Sequence, residues 1–331
     1  MPRNVITLAE SLQAAGYQTV GITANPMTNK KYGFARGFEH YDDYSAVLAA
    51  ETVTGNSSKT HTTLLLNRMA EDWLATKRDP ARPLFLFLLY MDVHWDYFPP
   101  PPYNSMFTDD PIPPPKETWK FGNKTVPEVM QKRIVSAYDG EIRYTDANLA
   151  GLLRRIETSP RGANTVITFC SDHGEAFWEH GTIAHGNNLH EEELRVPLII
   201  RPQTKLKGAK PGAVVTGQVG LIDLAPTLLD LADVDIPPTW QGRSLRQFLG
   251  GGAVTERPIV LDTRYSGFMR GVRTSRYKII SREPFESPTE VYDLLADPRE
   301  TNNLVSVGAP LPEEVTELIP LLKPQDLGNR E

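Results

Sequence analysis

The chain has 331 residues, 40% of them hydrophobic and 23% charged, and its formal net charge is −6 at pH 7. This composition is ordinary for a globular protein, and the negative charge gives nucleic-acid binding no electrostatic support. The single cysteine excludes an internal disulfide framework and a thiolate metal cluster. No apolar run reaches the roughly 18 residues of a membrane-spanning helix, and no signal-peptide pattern is visible, so the sequence leaves the cellular location open.

The first third of the chain predicts alternating helices and strands. Thr7 and Glu10 have the spacing of a capping box, which predicts a short helix ending at Gly16. A strand is expected over 19–23 and a helix over 64–75, where apolar residues recur at helical spacing. Residues 84–93 are apolar on both faces, which is typical of a central strand covered on two sides.

The rest of the chain continues this alternation and then changes in texture. A long helix is expected over 128–157, strands over 165–170 and 196–200, and a helix over 221–232. Beyond three consecutive glycines at 250–252, short strand patterns follow at hairpin-like spacing. We therefore predict a large domain over 1–250 and a small C-terminal sheet subdomain over 253–331.

These elements predict an α/β fold with a largely parallel, mixed sheet between helices, and a small C-terminal α+β subdomain. In such sheets, ligands bind at the carboxyl ends of the strands. Two polar segments follow predicted strands at that edge. One contains Asp92 and His94, and the other contains Asp172 and His173.

The second segment opens a cluster of histidines, since four of the chain's seven lie between 173 and 190. Asp172 and His173 are adjacent, and both residue types bind metal ions. Gly174 would permit the turn that lets both side chains reach one ion. A simple helix cap at Ser171 or Asp172 would also explain the motif, but the density of histidines favours a metal site.

Two histidines are candidates for direct action on an ester. His185 lies between a small residue and a glycine, so its imidazole could stabilise an anionic oxygen or protonate a leaving group, and His94 has the same possible roles. The alternative for each is a loop histidine bonded to backbone. We expect His180 and His190 to be structural and Cys170 not to be a nucleophile.

Six ordered segments resemble the sulfatases of the alkaline phosphatase superfamily. They read GFARGFEHYDDY, FLFLLYMDVHWDY, AYDGEIRYTDANLAGLL, SDHGEAFWEHG with AHGNNLHEEELRVPLIIRP, GLIDLAPTLLDLADV and VYDLLADPRETNNL. The resemblance covers nearly the whole chain. It implies the α/β fold described above and the hydrolysis of sulfate esters at a divalent metal ion, usually Ca²⁺.

The resemblance also implies roles for individual residues. Asp172 and His173 match metal ligands, although many sulfatases have Asn where this chain has His173. His185 matches a position that holds a sulfate-contacting lysine in many arylsulfatases. His94 matches a histidine thought to serve the leaving-group oxygen. Imidazole at 173 makes Mn²⁺ or Zn²⁺ possible beside Ca²⁺.

The chain departs from the family pattern in one respect. It contains no Cys/Ser-x-Pro-x-Arg motif, which carries the family's nucleophile near the first metal-binding aspartates. The resemblance therefore implies a sulfatase that lacks its N-terminal catalytic segment and is inactive alone.

Two other functions stay open. One is a phosphate or phosphonate ester hydrolase of the same superfamily, and the other is a non-catalytic binding protein. The expected ligand is a small-molecule or glycan sulfate ester, with no nucleic-acid partner and no membrane segment in these residues. We expect the loops 45–62 and 99–125 to select the substrate, but their sequences do not indicate which alcohol forms the ester.

Overall fold

The structure is a computed structural model that describes residues 5–43, 45, 61–95, 97–109, 126–306, 308 and 310–323. The chain divides into two compact units. The first contains Met1–Thr165 and Ala232–Pro238, and the second contains Val166–Leu231 and Thr239–Glu331. The domain boundary near 250 stays a prediction. Much of the two predicted substrate-selection loops lies outside the described residues.

The first unit contains three α-helices and three strands within the described residues. They are α1 Leu8–Ala14, β1 Gln18–Thr23, β2 His40–Asp42, α2 Thr63–Thr76, β3 Leu84–Leu89 and α3 Glu128–Thr158. Short 3-10 helices occupy Pro26–Thr28, Lys30–Tyr32, Tyr103–Ser105 and Gly162–Asn164. The predicted capping box forms, because the Thr7 hydroxyl accepts from the Glu10 N–H while the Glu10 carboxylate accepts from the Thr7 N–H.

A three-stranded parallel sheet in the order β2-β1-β3 organises this unit. Strand β1 is buried from Thr19 onward, and its apolar residues pack against α2. The core cluster consists of Val20, Ile22, Ala24, Leu66, Ala70 and Trp73. The sequence predicts a central position for residues 84–93, but within the described sheet β3 is an outer strand and its residues are only partly buried. Apolar character on both faces therefore did not identify the middle strand, since β1 holds that position.

The second unit has more strands than helices within the described residues. The strands are β4 Ile167–Cys170, β5 Ala176–Phe177, β6 Ile183–Ala184, β7 Leu198–Arg201, β8 Val215–Thr216, β9 Gly252–Ala253, β10 Ile259–Thr263, β11 Met269–Arg273, β12 Tyr277–Arg282 and β13 Glu290–Asp293. The helices are α4 Glu191–Leu194, α5 Leu224–Leu231 and α6 Glu313–Leu318, with 3-10 turns at Leu221–Asp223, Arg246–Phe248 and Ile319–Leu322.

Two antiparallel arrangements dominate the second unit. Strand β4 pairs with β7, and β10 to β13 form a four-stranded meander. The residues predicted to supply the apolar face of the C-terminal sheet are all buried, but in two clusters: Val272, Tyr277, Ile279 and Val291 belong to one, and Tyr292 and Leu294 to the other. Helix α6 covers part of this sheet through Val315 and Leu318.

The predicted fold class is confirmed. The structure combines helices with a parallel sheet and an antiparallel C-terminal sheet, as the alternation of patterns indicated. None of the helices in the described part of the chain is both long and apolar enough to cross a membrane.

Candidate functional site

Asp172 and His173 lie in the loop that follows strand β4, at the position that the sequence predicts. The loop begins directly after Cys170, where β4 ends; β4 pairs antiparallel with β7 and, within the described residues, is not a strand of the parallel sheet. The Asp172 and His173 side chains are 64% and 40% exposed, so both are accessible to a ligand. The Asp172 carboxylate also accepts the His173 backbone N–H at 3.1 Å, which fixes the local turn.

The hydrogen bond of His173 selects the nitrogen that is available to an ion. Its Nδ1 lies 2.7 Å from the carbonyl oxygen of Gly174, and a carbonyl only accepts, so the proton is on Nδ1. The lone pair is then on Nε2, which lies 3.7 Å from Asp172 Oδ1. Two ligand atoms that are each about 2.0–2.6 Å from a divalent ion stand at such a separation, so this donor pair fits a metal ion.

Gly174 is required by a close backbone contact. Its N–H donates to the carbonyl of Glu193 at 2.8 Å, and a Cβ at this position would overlap the carbonyl oxygen of Glu192. The sequence predicts a role for this glycine in turning the chain. In the structure the absence of a side chain lets the loop lie directly against α4.

His185 is held by Glu175, a residue that the sequence analysis did not single out. Glu175 Oε1 lies 3.0 Å from His185 Nδ1, and the Glu175 side chain is only 5% exposed. This hydrogen bond is the main reason that the pKa of His185 is raised, although burial opposes it. The His185 ring stacks on that of His173, with centroids 3.9 Å apart. The structure thus brings Asp172, His173 and His185 together.

The backbone around His185 is strained and is held by a buried carboxylate. Ala184, the residue before it, has a φ of 69°, a left-handed conformation that is uncommon for a residue with a Cβ. Glu193 is 4% exposed, and its Oε2 accepts the N–H groups of Gly186 at 2.5 Å and Asn187 at 3.1 Å. Burial raises the pKa of Glu193, and the backbone donors oppose this rise. Glu193 therefore fixes the loop that carries the imidazole.

Helix α4 is anchored to the C-terminal sheet by Glu191. Arg273 donates to both of its oxygens at 2.9 and 2.8 Å, and Lys278 lies 2.7 Å from Oε1. Burial raises the pKa of Glu191, but the two cations outweigh it and bring the pKa to about 2. Lys278 is fully buried and forms a second ion pair, with Glu300, at 2.7 Å.

The three consecutive glutamates of α4 are thus partnered rather than solvated. From the sequence alone, these residues read as a solvated helix start with one or two carboxylates paired to a cation such as Arg195. One turn of helix directs Glu191 to the sheet, Glu192 to His180 and Glu193 to the loop after His185. Adjacency to the histidine cluster was a signal for Glu192 and Glu193, whose partners lie within 12 residues, but not for Glu191, whose partners Arg273 and Lys278 are remote in sequence.

A second group of potential ligands consists of His180, His190 and Glu192, whose ligand atoms lie within 4.8 Å of one another. His180 Nδ1 lies 2.8 Å from Glu192 Oε1, and its Nε2 donates to the carbonyl of Glu300 at 3.0 Å. Burial lowers the pKa of His180, but these two bonds outweigh it and raise the pKa.

The two imidazole rings of this group stack in parallel, with centroids 3.7 Å apart and planes inclined by 5°. The lone pairs of parallel rings lie in separate planes and do not converge on one ion. His190 is further held through Nε2 by Glu290 at 3.0 Å. The geometry therefore favours the structural role that the sequence predicts for His180 and His190.

Asp92 and His94 belong to the first compact unit. The Asp92 carboxylate accepts the backbone N–H groups of Thr62 at 3.1 Å and Thr63 at 2.6 Å, and also the Thr63 hydroxyl. Asp92 therefore serves the start of α2. His94 lies beyond β3 and its Nδ1 is 2.6 Å from the carbonyl of Trp95, so this nitrogen carries a proton.

Cys170 ends strand β4 and is half-buried. Burial, reinforced by the charge of Asp172, raises the pKa of its thiol. Because the thiolate is the reactive form, this environment argues against a nucleophilic role, in agreement with the sequence-based interpretation.

Comparisons with known proteins give a consistent result. The model of the sulfatase family matches residues 1–234, and the model of the C-terminal region of N-sulphoglucosamine sulphohydrolase matches residues 179–319. An arylsulfatase of Clostridium perfringens is 28% identical over 249 residues, which are 70% of this chain and 51% of that protein. The chain thus spans about half the length of this relative.

Solved structures show the same fold. A protein solved with its substrate D-glucosamine-2-N,6-O-disulfate aligns with a TM-score of 0.74 at 21% identity, covering 96% of this chain and 81% of that one. A phosphonate monoester hydrolase of Agrobacterium radiobacter aligns with a TM-score of 0.72 at 19% identity, covering 92% of this chain and 77% of the other. At these identities the likeness establishes the fold alone.

Proposed function

Because the chain belongs to the sulfatase family, we propose that it takes part in the metal-dependent hydrolysis of sulfate esters. The observation that carries the proposal is the grouping of Asp172, His173 and His185 at the end of β4. Two potential ligand atoms, on the exposed side chains of Asp172 and His173, lie beside the half-buried imidazole of His185, whose pKa is raised. Such a grouping suits an anionic ester, which needs positive charge near its oxygens.

In this proposal Asp172 and His173 hold the divalent cation. A bound cation would supply positive charge to an ester oxygen and polarise the bond to be broken. The chain's own contribution is orientation. The Gly174 carbonyl holds the His173 ring through Nδ1, so that Nε2 is directed to the same side as the Asp172 carboxylate. The family implies Ca²⁺, while the imidazole ligand suits Mn²⁺ or Zn²⁺.

His185 is proposed to contact the sulfate group. Glu175 accepts the proton on Nδ1 and favours the charged imidazolium, so Nε2 also carries a proton that can be donated to a sulfate oxygen. The charge then replaces that of the lysine which many arylsulfatases have at this position. His94 is proposed to serve the leaving-group oxygen as an acid, which is a role suited to imidazole near neutral pH.

We further propose that residues 1–331 do not hydrolyse esters by themselves. The sequence contains no Cys/Ser-x-Pro-x-Arg motif, and Cys170 is unsuited as a nucleophile because its pKa is raised. Covalent catalysis requires an activated nucleophile, and without one most of the rate acceleration is lost. Water alone would have to attack the bound ester.

The metal site can be tested by calorimetry of the purified chain with Ca²⁺, Mn²⁺ and Zn²⁺. Two protein ligands hold a hard cation only weakly against water, so we expect weak binding that Asp172→Ala abolishes. Asp146→Ala removes an exposed carboxylate of α3 and is the matched control, which should bind as the unchanged chain does. Tight binding that survives Asp172→Ala would refute the assignment.

The catalytic part is tested by assaying the chain with p-nitrophenyl sulfate and p-nitrophenyl phosphate in the presence of each metal. The expected result is no turnover above that of His185→Ala. Turnover that disappears in His185→Ala would show that these residues suffice for hydrolysis, and the proposed dependence on a further nucleophile would be wrong.

A phosphate or phosphonate ester hydrolase is the second candidate. The imidazole of His173 favours it, because nitrogen ligands suit zinc and manganese better than calcium. The same calorimetry separates the two candidates in part, since preferential binding of Ca²⁺ favours the sulfatase and preferential binding of Zn²⁺ favours the phosphoester enzyme. The alcohol half of the substrate is proposed to be a small molecule or a glycan.

A further inference from the structure

The turn between β10 and β11, residues 264–268, lies directly against the loop that carries His185. The Thr263 hydroxyl donates to the carbonyl of Gly186 at 3.0 Å, and the Ser266 hydroxyl donates to the side-chain oxygen of Asn187 at 2.6 Å. A methyl group placed on Gly186 would lie 3.4–3.6 Å from the Cβ, Cγ and Cδ1 atoms of Tyr265. This turn and the His185 loop are therefore one packed assembly within the second unit.

Tyr265 is exposed to an unusual degree for an aromatic residue beside a candidate site. Its exposed fraction is 84%, the highest among the exposed large hydrophobic side chains of the described residues. The base of its ring packs near Gly186, while most of the ring is in solvent. An aromatic face offers a flat apolar surface with a hydroxyl at its edge, which suits the C–H face of a sugar ring.

Arg264 adds a fixed positive charge to the same turn. Its guanidinium lies over the Phe268 ring, with Cζ 4.5 Å from the centroid, and Phe268 packs edge-on against Phe285 at 4.8 Å. Among the described residues Arg264 has no carboxylate partner. The contact with the Phe268 ring holds the guanidinium in place, and arginine N–H groups can bind sulfate and carboxylate groups in pairs.

We propose that the turn 264–268 contacts the alcohol half of the substrate and selects a sugar ring with a second anionic substituent. Tyr265 provides the stacking face and Arg264 receives the additional anion. An aryl alcohol would stack on the ring of Tyr265 but would offer no anion to Arg264. The inference rests on the proposed function, because it requires the ester to bind beside His185.

Saturation-transfer NMR with the chain 1–331 and added Ca²⁺ tests this inference, because it detects weak binding without turnover. The probes are unsulfated glucose, a singly sulfated glucose and a doubly sulfated glucose. The expected order of affinity rises along that series. Tyr265→Ala should weaken binding of both sulfated sugars by about two- to tenfold, as loss of one aromatic contact predicts, while Tyr265→Phe should retain it.

Arg264→Gln should reduce the affinity for the doubly sulfated sugar to that for the singly sulfated one. Leu295→Ala is the control, since Leu295 is 72% exposed in the same unit and lies outside the turn. If binding depends on sulfate and on Asp172 but is the same in Tyr265→Ala and Leu295→Ala, the inference is wrong and the proposed function stands. If the unchanged chain shows no preference for sulfated over unsulfated sugar, the proposed function fails and the inference fails with it.

Discussion

Replacing Lys278 by methionine should lower the free energy of unfolding by about 3–5 kcal/mol. The ammonium group is fully buried and lies 2.7 Å from a carboxylate oxygen of both Glu191 and Glu300. Glu191 would keep its two hydrogen bonds from Arg273. The Glu300 side chain is 1% exposed and would lose its cation while its other oxygen still accepts one backbone N–H.

The size of the effect follows from the carboxylate that is left behind. Without Lys278 the Glu300 carboxylate would be a buried charge with no cation to compensate it. Mutational removal of one partner of a buried ion pair costs about 3–5 kcal/mol. Because most of the cost arises at Glu300, Lys278→Met combined with Glu300→Gln should recover much of it.

Guanidinium unfolding monitored by circular dichroism measures these differences. Arg276→Met is the matched control, because it removes a cation beside the same strand whose partner, Asp293, is 3.2 Å away. The Arg276 side chain is 48% exposed, so this change should cost much less than Lys278→Met. If Lys278→Met is no more destabilising than Arg276→Met, the buried ion pairs do not hold α4 to the sheet and the argument is refuted.

Three further predictions concern the site and its support. Gly174→Ala should destabilise the chain by about 1–3 kcal/mol because its Cβ would overlap a backbone carbonyl of α4, whereas Gly151→Ala, in open space on helix α3, should not; thermal melting compares the two. Glu175→Gln should lower the pKa of His185, as measured by NMR titration with chelator present. A raised folded-state pKa stabilises the fold below the unfolded value of 6.5, and this stabilisation is lost as the pH rises. The variant should therefore lose stability mainly at acidic pH. An unchanged titration would contradict the assigned hydrogen bond. A chain cut after Gly252 lacks the C-terminal sheet and should expose the apolar residues that this sheet covers, such as Leu189, so it should aggregate in sedimentation experiments; a monomer that melts like the full chain would show that the boundary or the packing is wrong.

Most secondary structure was predictable because it depends on local patterns. The capping box at Thr7 and Glu10 forms as expected, and the periodicity of residues 128–157 corresponds to the single helix Glu128–Thr158. The position of Asp172 and His173 after a strand was predictable for the same reason, since a short apolar run followed by polar residues and glycine marks a strand end. The burial of the apolar residues predicted for the C-terminal sheet also followed from the sequence, but their division between two clusters, Val272 and Ile279 in one and Tyr292 and Leu294 in the other, did not.

The sequence by itself therefore determined the elements, the fold class and the loop that carries the candidate ligands. Only the tertiary structure decided the partners of the charged groups, such as Glu175 on His185 and Lys278 between Glu191 and Glu300. It also decided that β1, rather than the more apolar β3, has a strand on each side in the described sheet. The physical reason is that local propensity acts between neighbours in sequence. The pairing of a charge or a strand edge depends instead on which remote groups the folded chain brings within a few ångströms, where burial strengthens the interaction.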